Sequence, residues 1–331
     1  MRIESLIRIT GGVLLNIPSV DSINDIKISP NKIQRENLFI DVNTDEKERN
    51  EALNNGAYAI LTSSIPHITD EEIAWISVEN LNQAIIKLTR YYTTDKNFKF
   101  IPLSLVQYKL AKCIQIETKA KVLSIQPKDA LIEILKAEHN QLFFVINSDF
   151  IAKIDPSLTP VKTKIEATKT LESGIFHSSF VFNDKFINNI KLSPFFIPYL
   201  CSLIDCFDSL KIEYKIENFN TFEHFQPQFI NKKLEKKDFG STNKALIFES
   251  AFELFKKELD FLEKRVNHNS LIVFMPEEKA FTCRSNIIKY KNFCEIKNLK
   301  DINFRYALVY GEIKNFEESL EMQENKQLSL F

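Results

Sequence analysis

Glycine constrains this chain more than any other residue: it fills six of 331 positions, about 2% where roughly 7% is usual. Backbone loops that wrap phosphate need clustered glycines, because only a residue without Cβ lets several N–H groups converge on one oxyanion. Most nucleotide-binding motifs are excluded on that count. Charge gives a second exclusion. The 43 Lys and Arg against 44 Asp and Glu leave a net charge of −1, so no broad positive field exists to neutralise a nucleic-acid backbone, and no direct nucleic-acid partner is expected. At 44% hydrophobic and 26% charged, a chain of this length holds cores for two or three domains and is neither disordered nor fibrous.

The five cysteines, Cys113, Cys201, Cys206, Cys283 and Cys294, are odd in number and lack C-x-x-C spacing, which points to reduced thiols. The five histidines are too scattered for a ligand pair one helical turn apart, so no metal is expected. Met1-Arg2-Ile3-Glu4 puts an acid where a signal peptide needs its apolar region, and no run of about 18 apolar residues follows. The expected location is the cytoplasm, without membrane contact.

Residues up to about 92 predict a compact α/β unit: a helix from Ile3 to Ile9, a turn at Gly11-Gly12, and strands at Val13–Leu15, Asn37–Asp41, Ala57–Leu61 and Ala74–Val78. Helices at Glu46–Asn54 and Leu81–Tyr92 complete it. Beyond Thr93–Asn97, a plausible linker, strands at Phe98–Leu103, Lys121–Ile125 and Leu142–Asn147 alternate with helices at Leu105–Ile114 and Lys128–Lys136, the pattern of a parallel sheet. Two strands, Ser178–Asn183 and Phe186–Lys191, precede an apolar helix from Pro194 to Leu210. The last third predicts strands at Ala245–Phe248, Leu271–Met275 and Tyr306–Gly311, a helix from Ala251 to Val266 with a Ser250/Glu253 capping box, and a terminal helix near Phe316–Met322.

Four segments follow one another in a known order: Leu6-Ile7-Arg8-Ile9-Thr10-Gly11-Gly12-Val13-Leu14-Leu15; Ser29 with Ile33-Gln34-Arg35-Glu36-Asn37-Leu38-Phe39-Ile40; Asn55-Gly56-Ala57-Tyr58-Ala59-Ile60-Leu61; and Val78-Glu79-Asn80-Leu81-Asn82-Gln83-Ala84. Together they resemble the N-terminal UDP-binding domain of the Mur ligases, the ATP-dependent enzymes that add amino acids to UDP-N-acetylmuramate in peptidoglycan synthesis. The resemblance implies an α/β, Mur ligase-like multi-domain architecture with a degenerate, shortened central domain, divided as 1–94, 95–220, 221–322 and a tail of 323–331. It implies UDP-N-acetylmuramoyl peptide as a partner, with Ser29, Arg35 and Asn37 as its binding residues.

The departures bear on activity. Pro30 stands where the family has an arginine, and Arg35-Glu36 replaces a Pro-Gly turn. The family's phosphate loop, T-G-x-x-G-K-S/T, has no counterpart, since residues 98–140 contain no glycine and Gly240-Ser241-Thr242 precedes a strand instead of following one. Phe225-Gln226-Pro227 lacks the Gly-Arg that follows in the family, and Ala245–Ser250 lacks its polar nucleotide-facing residues. The expectation is a cofactor-free binding or regulatory protein that has lost ATP-dependent amide-bond ligation, with no catalytic residue assigned.

Three further features place polar or partner-binding groups in the chain. Glu223 and His224 are adjacent, and neighbours on a strand point to opposite faces, so His224 is expected on the surface or a loop. Glu249 ends a predicted parallel strand, where α/β folds place functional groups and where a carboxylate also supports a helix start. The last five residues, Gln327-Leu328-Ser329-Leu330-Phe331, match the Q-L-S/D-L-F peptide by which bacterial polymerases and repair proteins dock on the DNA sliding clamp. Gln327, Leu328, Leu330 and Phe331 are its partner-binding residues, and the alternative function is that of a replication or repair accessory protein.

Overall fold

Strands buried on both faces are continuous apolar runs, and the first sheet of this protein is built from them. The computed structural model describes residues 1–146, 148–156, 158–217 and 219–328, and the chain divides into two compact units. The first comprises residues 1–111, 116–161 and 210–214; the second comprises 112–115, 162–209 and 215 onward.

In the first unit α1 (Ile3–Thr10) stops at Gly11, whose φ of 71° lies in the left-handed region and whose N–H returns to the Ile7 carbonyl at 2.8 Å. Then come β1 (Val13–Leu14), β2 (Asp25–Lys27), β3 (Asn37–Ile40), α2 (Glu46–Asn54), β4 (Ala57–Thr62), β5 (Ala74–Ser77) and α3 (Leu81–Asp95). The sheet order is β1-β5-β4-β3-β2, parallel throughout except for β1 against β5. Alternate residues supply two cores: Leu38, Ile40, Leu61 and Ile76 pack with α1 and α3, while Phe39, Ile60 and Trp75 pack with α2. Asp41, fully buried beyond β3, accepts from Arg49 Nη1 at 2.6 Å, Thr62 Oγ1 at 2.9 Å and the Asp45 N–H at 3.1 Å.

The chain continues through β6 (Lys99–Leu103), α4 (Leu105–Lys112), β7 (Gln115–Ile116), β8 (Ala120–Val122), α5 (Pro127–Lys136), β9 (Leu142–Ile146) and α6 (Asp149–Ile154). β6, β9 and β8 form a parallel sheet in that order, closed on one side by Phe100, Leu123, Ile134 and Phe143.

In the second unit β10 (Lys169–Ser173), β11 (Ser178–Phe182) and β12 (Lys185–Ile190) make an antiparallel sheet. After α7 (Ile197–Ser209) and β13 (Tyr214–Lys215) come β14 (Gln226–Ile230), β15 (Lys244–Glu249), α8 (Phe252–Arg265), β16 (Leu271–Pro276), β17 (Asn286–Tyr290), β18 (Tyr306–Tyr310) and α9 (Ile313–Leu328). The sheet order is β14-β15-β18-β16-β17, with β14 antiparallel at one edge and the other strands parallel.

The predicted elements recur within a few residues of their expected limits, whereas β2, β7, β10, β13, β14, β17 and α6 were not expected. β2 has three residues and β14 carries Pro227, which a strand tolerates at an edge. Helix α9 begins at Ile313 and runs to Leu328, well past Met322. Among the described residues no helix is long and apolar enough to cross a membrane.

Candidate functional site

The junction of β6 and α4 is where a strand would open into a phosphate loop. Here the strand ends at Leu103, the helix starts at Leu105, and Ser104 alone connects them. Gln107 folds back on that junction: its Oε1 accepts from the Ser104 N–H at 3.0 Å and from Ser104 Oγ at 2.7 Å, and the Gln107 N–H reaches Ser104 Oγ at 3.4 Å. This is a capping box, and the buried Gln107 side chain takes the place that an anion fills at an open helix start.

A second constellation lies in the other unit. Glu249, the last residue of β15, is 1% exposed, and its Oε1 accepts the Ala251 N–H at 2.7 Å. Helix α8 therefore begins after Ala251 with Glu249 serving its first turn, and the expected Ser250/Glu253 capping box does not form. The same carboxylate takes His224 Nδ1 at 2.9 Å and 3.2 Å to its two oxygens. His224 lies in a loop, one of the two placements expected, but it is 7% exposed and not on the surface, because Phe219, Phe222 and Phe225 draw its segment into the interior. Phe225 adopts a left-handed φ of 53°, which breaks the strict alternation of faces and costs about 1–3 kcal/mol in a residue of this size.

Glu258, on the buried stripe of α8 with Leu254, Phe255, Leu259 and Leu262, completes the group. Burial first, and then the neighbouring Glu249, raise its carboxyl well above the ordinary carboxylate range. Among the described residues no N–H or hydroxyl donor serves either Glu258 oxygen. The raised carboxyl suits a neutral Glu258 that donates its proton toward Glu249, whose oxygens also face Nδ1 of His224. His224 Nε2 is then left buried without a partner. His224 also lines a cavity of about 220 Å³ whose walls include Phe176, Phe196, Phe222 and Phe239, with Lys191 as its cation. A carboxylate-oriented imidazole beside an aromatic cavity is equipped to accept a proton or hydrogen bond from an occupant. Among the described residues no group of three His, Cys, Asp or Glu side chains is placed to hold a metal ion.

The sequence-assigned precursor residues are partly gathered. Ser29 precedes a 3-10 turn at Pro30–Lys32 and lines a cavity of about 550 Å³ between the β2 segment and α5. Arg35 donates from Nε to Tyr58 Oη at 2.8 Å, and Asn37 is buried with its Oδ1 accepting the Gln34 N–H at 3.0 Å; neither lines that cavity. In the terminal peptide, Gln327 and Leu328 belong to the helical backbone of α9, while Leu330 and Phe331 lie outside the described residues.

No protein-family model matches the chain, and no curated protein matches it. Among solved structures its fold is that of the Mur ligases, an α/β multi-domain architecture. The particular relatives include the UDP-N-acetylmuramoylalanyl-D-glutamyl-2,6-diaminopimelate–D-alanyl-D-alanyl ligase of Acinetobacter baumannii, with a TM-score of 0.51 and 10% identity over 97% of each chain. The MurF ligase of Thermotoga maritima, solved in complex with ADP, gives a TM-score of 0.54 and 11% identity over 91% of this chain and 98% of that one. The likeness is one of fold, and it agrees with the architecture read from the sequence.

Proposed function

We propose that this chain is a cytoplasmic Mur ligase-like protein of peptidoglycan-precursor metabolism that binds a precursor without carrying out ATP-dependent amide-bond ligation, and acts as a binding or regulatory protein. The observation that carries the reading is the β6–α4 junction: a single residue, capped from within by Gln107, leaves no loop to wrap a triphosphate. Residues 1–94 are the precursor-binding domain in this reading, and Ser29, Arg35 and Asn37 mark its ligand side. The cavity beside Ser29 is of a size that suits a small ligand. Thermal unfolding of the full chain with UDP-N-acetylmuramoyl peptide and, separately, with Mg-ATP tests it: stabilisation by the first alone supports the reading, and stabilisation by ATP counts against it.

The match of Gln327-Leu328-Ser329-Leu330-Phe331 to a clamp-docking peptide supports a second reading, in which the protein is recruited to the DNA sliding clamp as a replication or repair accessory factor. An amide side chain followed by three apolar ones within five residues suits an apolar groove on a partner. Loss of clamp binding on deleting these five residues supports this reading; binding that survives the deletion rejects it.

A further inference from the structure

The amino ends of the parallel strands in the second unit enclose a different cavity, of about 770 Å³. Lys244 opens β15, Ser270 precedes β16 and Arg305 precedes β18, so the backbone that frames the cavity is fixed by the sheet register itself. The Arg305 N–H bonds the Ser270 carbonyl at 2.8 Å and ties two of these strand starts together. α/β sheets ordinarily bind ligands at the carboxyl ends of their strands, where Glu249 and His224 lie, so this is a separate site.

Its lining is chemically one-sided. Lys232, Lys244, Lys300 and Arg305 face it with Asp301 as the one acidic residue of the wall. None of the four cations forms an ion pair among the described residues. Lys244 is held between the Ile302 carbonyl, 3.0 Å from its Nζ, and the face of Phe304 at 4.0 Å, and burial together with nearby Lys232 lowers its pKa. The side-chain amides of Asn243, Asn269 and Asn303 also line the cavity and have no hydrogen-bond partner among the described residues. A second hollow of about 460 Å³ shares Ser270 and Arg305 and extends the groove.

We propose that this groove binds a phosphorylated sugar or similar small organic phosphate, its phosphate held by Lys232, Lys300 and Arg305 and its hydroxyls by the free asparagine amides. Four cations beside a single acid, none of them in an ion pair among the described residues, favour an oxyanion, and Arg and Lys together provide a planar fork and mobile point charges for phosphate oxygens. Amides that both donate and accept suit hydroxyl groups. A concave cavity of this size fits a small molecule, and the net charge of −1 disfavours a nucleic-acid backbone as the occupant.

Calorimetric titration of the full chain with ribose 5-phosphate, inorganic phosphate, ribose and a short single-stranded oligonucleotide, at matched ionic strength, tests the proposal. Ribose 5-phosphate should bind more tightly than phosphate or ribose, and the Lys232→Ala/Lys300→Ala variant, altered at exposed positions, should bind it about tenfold or more weakly with an unchanged melting temperature. Asn269→Ala should weaken ribose 5-phosphate but leave inorganic phosphate as it was. Failure of ribose 5-phosphate to bind, equal affinity in the lysine variant, or preference for the oligonucleotide overturns the proposal.

Discussion

The carboxyl of Glu258 neighbours that of Glu249 in the interior of the second unit, and burial together with this neighbour raises the Glu258 carboxyl well above the ordinary carboxylate range. Donors of the chain reach Glu249 and not Glu258: the Ala251 N–H and the His224 ring both serve the Glu249 carboxylate. Folding thus fixes a proton on Glu258 that the unfolded chain releases at ordinary carboxylate pH.

Stability should therefore fall with rising pH once the unfolded Glu258 ionises. The native state binds the proton and the unfolded state does not, so unfolding free energy decreases above the ordinary value of 4.5 until the raised folded pKa is passed. Glu258→Gln keeps a neutral donor and should flatten that slope. Melting temperature followed between about pH 5 and 8 checks this; parallel slopes in the variant and wild type would show that Glu258 does not hold the proton.

Removing the ring from the same network should be expensive. His224→Leu leaves Glu249 buried with the Ala251 N–H and the Glu258 carboxyl in place of the ring it has lost, at a cost of about 3 kcal/mol. Denaturant titration would give a lower midpoint with an unchanged slope. A loss below about 0.5 kcal/mol would mean that the ring contributes little to holding Glu249.

A comparable cost is expected in the first unit. Arg49→Met strips Asp41 of its cation, leaving a fully buried carboxylate with only Thr62 and the Asp45 N–H as donors, and should destabilise by about 3 kcal/mol. Asp41→Asn/Arg49→Met together should recover part of that loss, measured as a double-mutant cycle.

How far the sequence predicted these sites differs between the two units. β3 and β4 were legible because parallel strands buried on both faces carry unbroken apolar runs, and α3 because its apolar residues recur at helical spacing. β14 was not, since its signal is diluted by Pro227 and by its place at the edge. Glu249 was singled out from the end of its strand, but His224 was set aside because its partner lies 25 residues away and adjacency to Glu223 misled. Glu258 was missed although a signal existed: a glutamate standing on the stripe formed by Leu254, Phe255, Leu259 and Leu262 is a charge at a core position. Ser104-x-x-Gln107 also went unread, because within an apolar run it does not look like a helix start.

The closed β6–α4 junction makes its own prediction. Gln107→Ala should cost about 1–2 kcal/mol by opening the capping box, yet should not confer ATP binding, because no glycine flanks Ser104 to shape a phosphate loop. Fluorescent-nucleotide titration of the variant checks the second half.

The most direct measurement is thermal unfolding of the purified 331-residue chain alone, with UDP-N-acetylmuramoyl peptide and with Mg-ATP. A ligand present at a hundred times its dissociation constant stabilises by about 2.7 kcal/mol, a rise of roughly 5–10 °C for units of this size. A rise with the UDP-sugar peptide and none with Mg-ATP is the predicted result; a rise with Mg-ATP would contradict the claim that the β6–α4 junction leaves ATP no seat.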